Sequence, residues 1–257
     1  MTDTHCHLHD AKFDGDRGET VARASAAGVT RLLTVGCDLA DSERAIAAAS
    51  RFGLRASVGV HPHEAKDAPH DIGAAFAPLL DEDTVVAIGE TGLDYYYDHS
   101  PRDVQAEVLR AQLRVAHDRS LPVIFHQRDA FEDFCGILRE EFAPGMRGVV
   151  HCFTGNADQA RRLLEEFGLL LGIGGVVTFP KAHALREAVR EVGLASIVLE
   201  TDCPYLAPVP MRGKRNEPAF VPYVAAKVAE VLETGVDEVA AVTDRNAESL
   251  FFSRTPA

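Results

Sequence analysis

No CxxC pair occurs in this sequence, and its five cysteines, at positions 6, 37, 135, 152 and 203, make an odd total. That excludes a zinc ribbon and offers no disulfide framework; free thiols suit a reducing compartment. Positive charge is also scarce: 26 Lys and Arg stand against 39 Asp and Glu, for a formal net charge of −13. Phosphate neutralisation by Lys and Arg dominates non-specific affinity for nucleic acid, so a nucleic-acid substrate would need a local basic patch or bound cations here. No apolar run approaches the length of a membrane span, and the opening MTDTHCHLHD lacks the basic and apolar regions of a signal peptide. There is no GxSxG elbow, P-loop or HExxH motif, and GIGG at 172–175 fails as a dinucleotide fingerprint because Val177 stands where the last glycine belongs. Without a linker, low-complexity segment or charge block, residues 1–257 read as one soluble, cytoplasmic domain. Neither an organic cofactor nor an obligate protein partner is indicated.

What is present is a rhythm. Hydrophobic residues make up 46% of the chain, ample for a core. Short β-rich runs, RLLTV (31–35), LRASVGV (54–60), TVVAIG (84–89), PVIFH (122–126), GVVHCF (148–153), LLLGIG (169–174) and SIVLE (196–200), alternate with amphipathic stretches. With the brief opening segment they make eight. Several are apolar throughout, as parallel strands buried on both faces should be. Ser100-Pro101 reads as an N-cap with proline at the first helical position, followed by a Val104, Val108, Ala111, Val115 face. Asn156 with Gln159 resembles a capping box, Gly168 ends that helix, and NAESLFF at 246–252 predicts a helix anchored by Phe251 and Phe252. Eight alternations predict an α/β fold, a (β/α)8 TIM barrel, ahead of a doubly wound sheet.

Polar residues stand at the strand ends. His5 and His7, one residue apart on an extended strand, project to one side as a chelate would. Glu90 follows the fourth strand, His126 the fifth, His151 ends the sixth, and Asp202 follows the eighth. In a parallel barrel the C-terminal strand ends form one rim, where such folds place their chemistry. Four imidazoles and two carboxylates exceed what one tetrahedral ion takes, which indicates two divalent ions per chain sharing a carboxylate. The donor mixture admits zinc, manganese, nickel, cobalt or iron, and suits magnesium less well. Strand alternation turns Cys6 and Cys152 away from the mouth, so both thiols are expected to be buried.

Taken in order, DTHCHL (3–8), GVHPH (59–63), GETGLDYY (89–96), PVIFHQRDA (122–130), VVHCFTG (149–155), LETDCPYLAP (199–208) and RGKRNEP (212–218) resemble the TatD family of metal-dependent deoxyribonucleases. The resemblance runs from Asp3 to NAESLFF. It implies a TIM barrel that binds divalent metal and hydrolyses DNA, often as a 3′ to 5′ exonuclease, with His5, His7, Glu90, His126, His151 and Asp202 as ligands. Two departures stand out. The family carries more apolar residues before DTH, so the first strand here is very short, and Gln127 replaces the small residue that usually follows the fifth-strand histidine.

Substrate contacts are expected nearby. His61 lies on the same rim, and Glu200, two residues before Asp202, faces the mouth as a substrate-orienting group. Arg128 is placed to hold a phosphate, and Arg212, Lys214 and Arg215 form the densest basic cluster of an acidic chain. Tyr95, Tyr96 and Tyr97 offer stacking surfaces, but aromatic runs more often seal a loop, and at least two of the three are expected to do so. The mechanism this suggests is phosphodiester hydrolysis of DNA by a metal-activated water, with Glu90 between the ions and Asp202 as general base. The alternative, on the same ligand shell, is hydrolysis of an amide or ester in a small molecule or aminoacyl-RNA.

Overall fold

The computed structural model describes residues 1–253. Its strands are β1 (Thr2–Cys6), β2 (Arg31–Val35), β3 (Arg55–Val58), β4 (Val85–Asp94), β5 (Val123–Arg128), β6 (Gly148–Val150), β7 (Leu170–Ile173) and β8 (Ile197–Leu199). They form one sheet in the order β1-β2-β3-β4-β5-β6-β7-β8. Helices alternate with them: α1 (Arg17–Ala26), α2 (Leu39–Phe52), α3 (Ile72–Leu80), α4 (Arg102–Arg119), α5 (Phe131–Glu141), α6 (Ala157–Phe167), α7 (His183–Val192), α8 (Val221–Leu232) and α9 (Val236–Ala247). This is the (β/α)8 topology of a TIM barrel, as the rhythm of the sequence predicts. Among the described residues no helix is long and apolar enough to cross a membrane. Contacts within the chain gather into two compact units, one of residues 1–34 with the chain from Cys152 onward, the other Val35–His151.

In the first unit, β1 is not the very short strand expected: it has five residues, against three in β8. It pairs in parallel with β2 (Thr2↔Arg31, Asp3↔Leu32, Cys6↔Thr34), and on its other side the backbone of Cys6 pairs with that of Cys203 beyond β8, both thiols being free. The Met1 amine donates to the Gly28 carbonyl at 2.7 Å and Thr2 Oγ1 to Asp244 at 2.8 Å. The capping box of α6 is present with both of its hydrogen bonds, and Gly168 ends the helix in the left-handed conformation. Phe251 is buried, while Phe252 is half-buried under Arg31. Cys6 and Cys203 are fully buried, but Cys152 is only half-buried: β6 stops at Val150, so strand alternation no longer fixes its direction.

In the second unit, β4 continues past its apolar run to Asp94 and pairs with β5 as far as Asp94↔Arg128. Two glycines permit this approach. A Cβ on Gly92 would lie 1.8 Å from the His126 carbonyl oxygen, and one on Gly89 2.6 Å from that of Ile124. The α4 helix differs from the sequence expectation. Ser100 is not its cap; its hydroxyl donates to the His63 carbonyl, and the buried face carries Gln105, Val108, Leu109, Gln112, Leu113 and Ala116. Patterning misplaced that face because two of its members are glutamines. Gln105 accepts from the Asp94 N–H (2.8 Å), and Gln112 accepts from the Val60 N–H (2.8 Å) while donating to Thr91 Oγ1 (2.6 Å), so both satisfy backbone at the ends of β3 and β4.

Candidate metal centre

In the first unit, the extended backbone of β1 and the turn after it bring the His5 and His7 Nε2 atoms to 3.3 Å of each other. Asp202 Oδ1 lies 3.4 Å from His7 Nε2 and 3.9 Å from His5 Nε2. Three donor atoms thus converge from two segments. The Asp202 N–H donates to the His5 carbonyl at 2.9 Å and the His7 N–H to the Cys203 carbonyl at 2.7 Å, which fixes one segment on the other. Asp3 secures the same junction: its fully buried carboxylate accepts from Thr201 Oγ1 (2.6 Å), the Thr201 N–H (3.0 Å) and the His5 N–H (3.3 Å). Burial pushes the Asp3 carboxyl up to about 8 against those hydrogen bonds.

In the second unit, Glu90 is the hub. Its Oε1 lies 2.8 Å from His126 Nδ1, 3.0 Å from His151 Nε2 and 3.4 Å from His61 Nε2. The Gly89 and Gly92 approach that draws β4 against β5 sets Glu90 beside His126. Burial lowers the His61 pKa to about 4 despite the attraction of Glu90, so this ring is neutral near pH 7 and keeps a lone pair. Burial also opposes protonation of His126, but hydrogen bonds to Asp94 and Glu90 outweigh it and raise its pKa.

Asp94 completes this unit. It is fully buried, and Oδ2 lies 3.0 Å from His126 Nε2 and 2.9 Å from His63 Nε2, while Oδ1 accepts from the N–H groups of Tyr96 (3.0 Å) and Tyr97 (2.8 Å). Burial alone would raise its pKa; the hydrogen bonds from His126, Tyr97 and His63 reverse the effect and hold the carboxyl below the usual range. An ionised Asp94 accepts a hydrogen bond from His126 Nε2–H, which turns Nδ1 toward Glu90.

Neutral imidazoles with ionised carboxylates are the donor chemistry of a divalent transition-metal site, and both donor sets fit such an ion. Two imidazole nitrogens at 3.3 Å suit a shared cation better than two N–H groups. His5, His7 and Asp202 would hold one ion; Glu90, His126 and His151, with His61 adjoining, would hold another.

The expected substrate residues divide. His61 stands inside the donor cluster, its Nδ1 accepting from the His63 N–H. Glu200 is fully buried, and its Oε1 accepts from the Cys152 N–H at 2.6 Å, so it braces the turn after β6. Arg128, Arg212 and Lys214 are exposed, and none has a carboxylate partner among the described residues; Arg212 lies over Phe179. Arg215 departs from expectation. It pairs with Asp16 at 2.7 and 2.8 Å, donates to the Lys12 carbonyl and covers Phe13, so its guanidinium is spent on tying its loop to the start of α1. Gln127, with its amide oriented as its surroundings require, accepts from the Ala130 and Phe131 N–H groups and caps α5.

Sequence patterning does not single out Asp94 or Asp3. Asp94 did carry a signal: it stands an even number of residues after Glu90 on one strand, where the β-repeat returns to the same face. Asp3 carried none, because a buried acid before HxH gains its meaning only from Thr201.

A family described as TatD related DNase matches residues 2–252. An uncharacterized metal-dependent hydrolase of Bacillus subtilis, YabD, is 43% identical over 98% of each chain. The 3′-5′ ssDNA/RNA exonuclease TatD of Citrobacter rodentium is 37% identical over 98% of this chain and 97% of its own. Among solved structures, the TatD homolog YJJV of Escherichia coli superposes with a TM-score of 0.92 at 31% identity, covering 98% of both chains.

Proposed function

This chain belongs to the family of TatD-related DNases, and from that membership we propose that it hydrolyses phosphodiester bonds of DNA from the 3′ end, using two divalent ions. As a member of the family it is a metal-dependent hydrolase. The ions, when bound, supply Lewis acidity toward the phosphoryl oxygen and a water acidic enough to attack near neutral pH. The remaining steps belong to side chains. His5, His7, Glu90, His126, His151 and Asp202 are the ligands in this reading. Asp202 is also the general base, accepting the proton of the attacking water. Neutral His61 faces Glu90 Oε1 at 3.4 Å. Arg128, Arg212 and Lys214 neutralise and position the phosphates.

The supporting observation is the conjunction of histidine–carboxylate donor sets with three exposed cations, Arg128, Arg212 and Lys214, that have no carboxylate partner among the described residues, in a chain of net charge −13. A small, uncharged amide or ester has no use for such cations. The test is an assay on end-labelled single-stranded DNA with protein reconstituted in zinc, manganese, nickel, cobalt, iron or magnesium, alongside a chelated control and an amide and ester panel. Stepwise shortening from the 3′ end is the expected result. Turnover confined to the amide or ester panel would replace this reading with carbonyl hydrolysis.

A further inference from the structure

Beyond β4 the chain turns through three tyrosines that are not equivalent. Tyr95 donates its hydroxyl to Asp133 (2.9 Å) beneath Arg102, 4.2 Å above its ring, so it seals the turn onto α5. Tyr96 and Tyr97 do not seal it: they are 57% and 50% exposed, where the sequence led us to expect at most one free ring. A single exposed tyrosine needs no explanation. An adjacent pair is different when an unpaired cation is laid over it. Arg128 lies 3.9 Å from the Tyr96 ring centroid and 4.8 Å from that of Tyr97, and it has no carboxylate partner among the described residues. Four other arginines of the same unit, Arg102, Arg110, Arg114 and Arg119, are each paired with an acid, while Arg51 lies over Phe52 and Arg55 donates to the Asp83 carbonyl.

The turn is also registered to the donor cluster. Asp94 binds the Tyr96 and Tyr97 N–H groups through one oxygen and His126 and His63 through the other. The rings continue the connection: His63 is 6.1 Å from His126 and 5.4 Å from Tyr97, centroid to centroid. An object stacked on these tyrosines is therefore registered to His126 through Asp94 and His63.

We propose that Tyr96, Tyr97 and Arg128 form a seat for an unpaired nucleobase of single-stranded nucleic acid, with the guanidinium contacting the adjoining phosphate. The proposal rests on the nucleic-acid reading above and specifies how that substrate is gripped. Tyrosine rings stack on any base, so the seat tolerates sequence, while arginine supplies the charge that the rest of this acidic chain withholds. A base inside a duplex has both faces covered by its neighbours and cannot enter. The seat thus selects frayed or single-stranded ends.

The experiment compares wild type with Tyr96→Leu, Tyr97→Leu and the double variant on two 5′-labelled single strands, identical except that the terminal 3′ nucleotides of one are abasic. Loss of stacking should raise KM on the ordinary strand about tenfold per ring, and the variants should lose the preference for ordinary over abasic ends. Metal content, measured alongside, should match wild type. Arg128→Gln should lower the slope of log KM against log salt by about one counterion. Equal KM for wild type and double variant on the ordinary strand would overturn the seat while leaving the nuclease reading intact. If wild type cleaves neither strand with any metal, the nuclease reading fails, and the seat is judged by fluorescence anisotropy of the same strands in chelator. There, a Kd unchanged by the double variant overturns it and a tenfold or greater weakening supports it.

Discussion

One carboxylate oxygen of Asp94 serves two histidines: Oδ2 stands 3.0 Å from His126 Nε2 and 2.9 Å from His63 Nε2. Of the two, His126 has its other nitrogen 2.8 Å from Glu90, so Asp94 determines which nitrogen of His126 is basic. Replacing such an outer partner costs roughly 10–100-fold in metal affinity. Asp94→Asn, which can no longer hold the Nε2 proton as an ionised acceptor, should weaken metal binding by that factor when titrated against a competing chelator. An affinity equal to wild type would remove Asp94 from the site.

His126→Ala and His151→Ala each delete a nitrogen that faces Glu90 Oε1, at 2.8 and 3.0 Å. Both variants should lose metal as well as turnover, as read by elemental analysis after dialysis. Full occupancy in both would show that the proposed ligands are wrong.

The basic cluster after β8 should separate into two behaviours. Arg212→Gln with Lys214→Gln should raise KM for DNA and flatten its salt dependence, with melting temperature kept, because neither cation has a carboxylate partner among the described residues. Arg215→Gln should instead lower melting temperature, because its guanidinium holds Asp16 at 2.7 and 2.8 Å. Identical effects of the two changes would mean that the ion pair does not distinguish them.

Acid should reveal the same ion pair. Hydrogen bonds from Arg215 first, then Arg23, hold the Asp16 carboxyl far below its ordinary range. A carboxyl lowered in the folded state contributes fully above its unfolded pKa, roughly 4, and the contribution is lost as pH falls below it. Asp16→Asn should therefore melt below wild type at pH 7, and the gap should narrow as pH drops from about 4 toward 2. A gap constant with pH would contradict the assignment.

Gly92→Ala tests the strand approach that seats Glu90. Its Cβ would fall 1.8 Å from the His126 carbonyl oxygen, with backbone on both sides and φ at +149°, so nothing flexible can yield. A loss of about 4 kcal/mol is expected, or about 12 °C in Tm for a chain of this size. A Tm within 2 °C of wild type would indicate that β4 and β5 adjust freely.

By itself the sequence determined the alternation of strand and helix, because burial of parallel strands on both faces demands apolar runs that are visible without coordinates. It likewise marked the histidines and acids at the strand ends, since a polar residue in such a run is conspicuous against its neighbours. Tertiary structure decided what their partners are. Arg128, at the end of β5, and Arg215, in a loop, are the same residue type in one acidic chain, yet among the described residues Arg128 lies over two exposed rings without an acid and Arg215 is consumed by Asp16. Gln105 and Gln112 lie outside the apolar face that patterning marks on α4 and are buried, because the backbone groups they satisfy, at Asp94 and Val60, come to them only through folding. Asp94 reads as one more acid in a turn and becomes the residue joining the His126 cluster to the tyrosines. Hydrophobic periodicity is a local property of the chain, whereas the partner of a charge or an amide is set by what folding brings within about 3 Å of it.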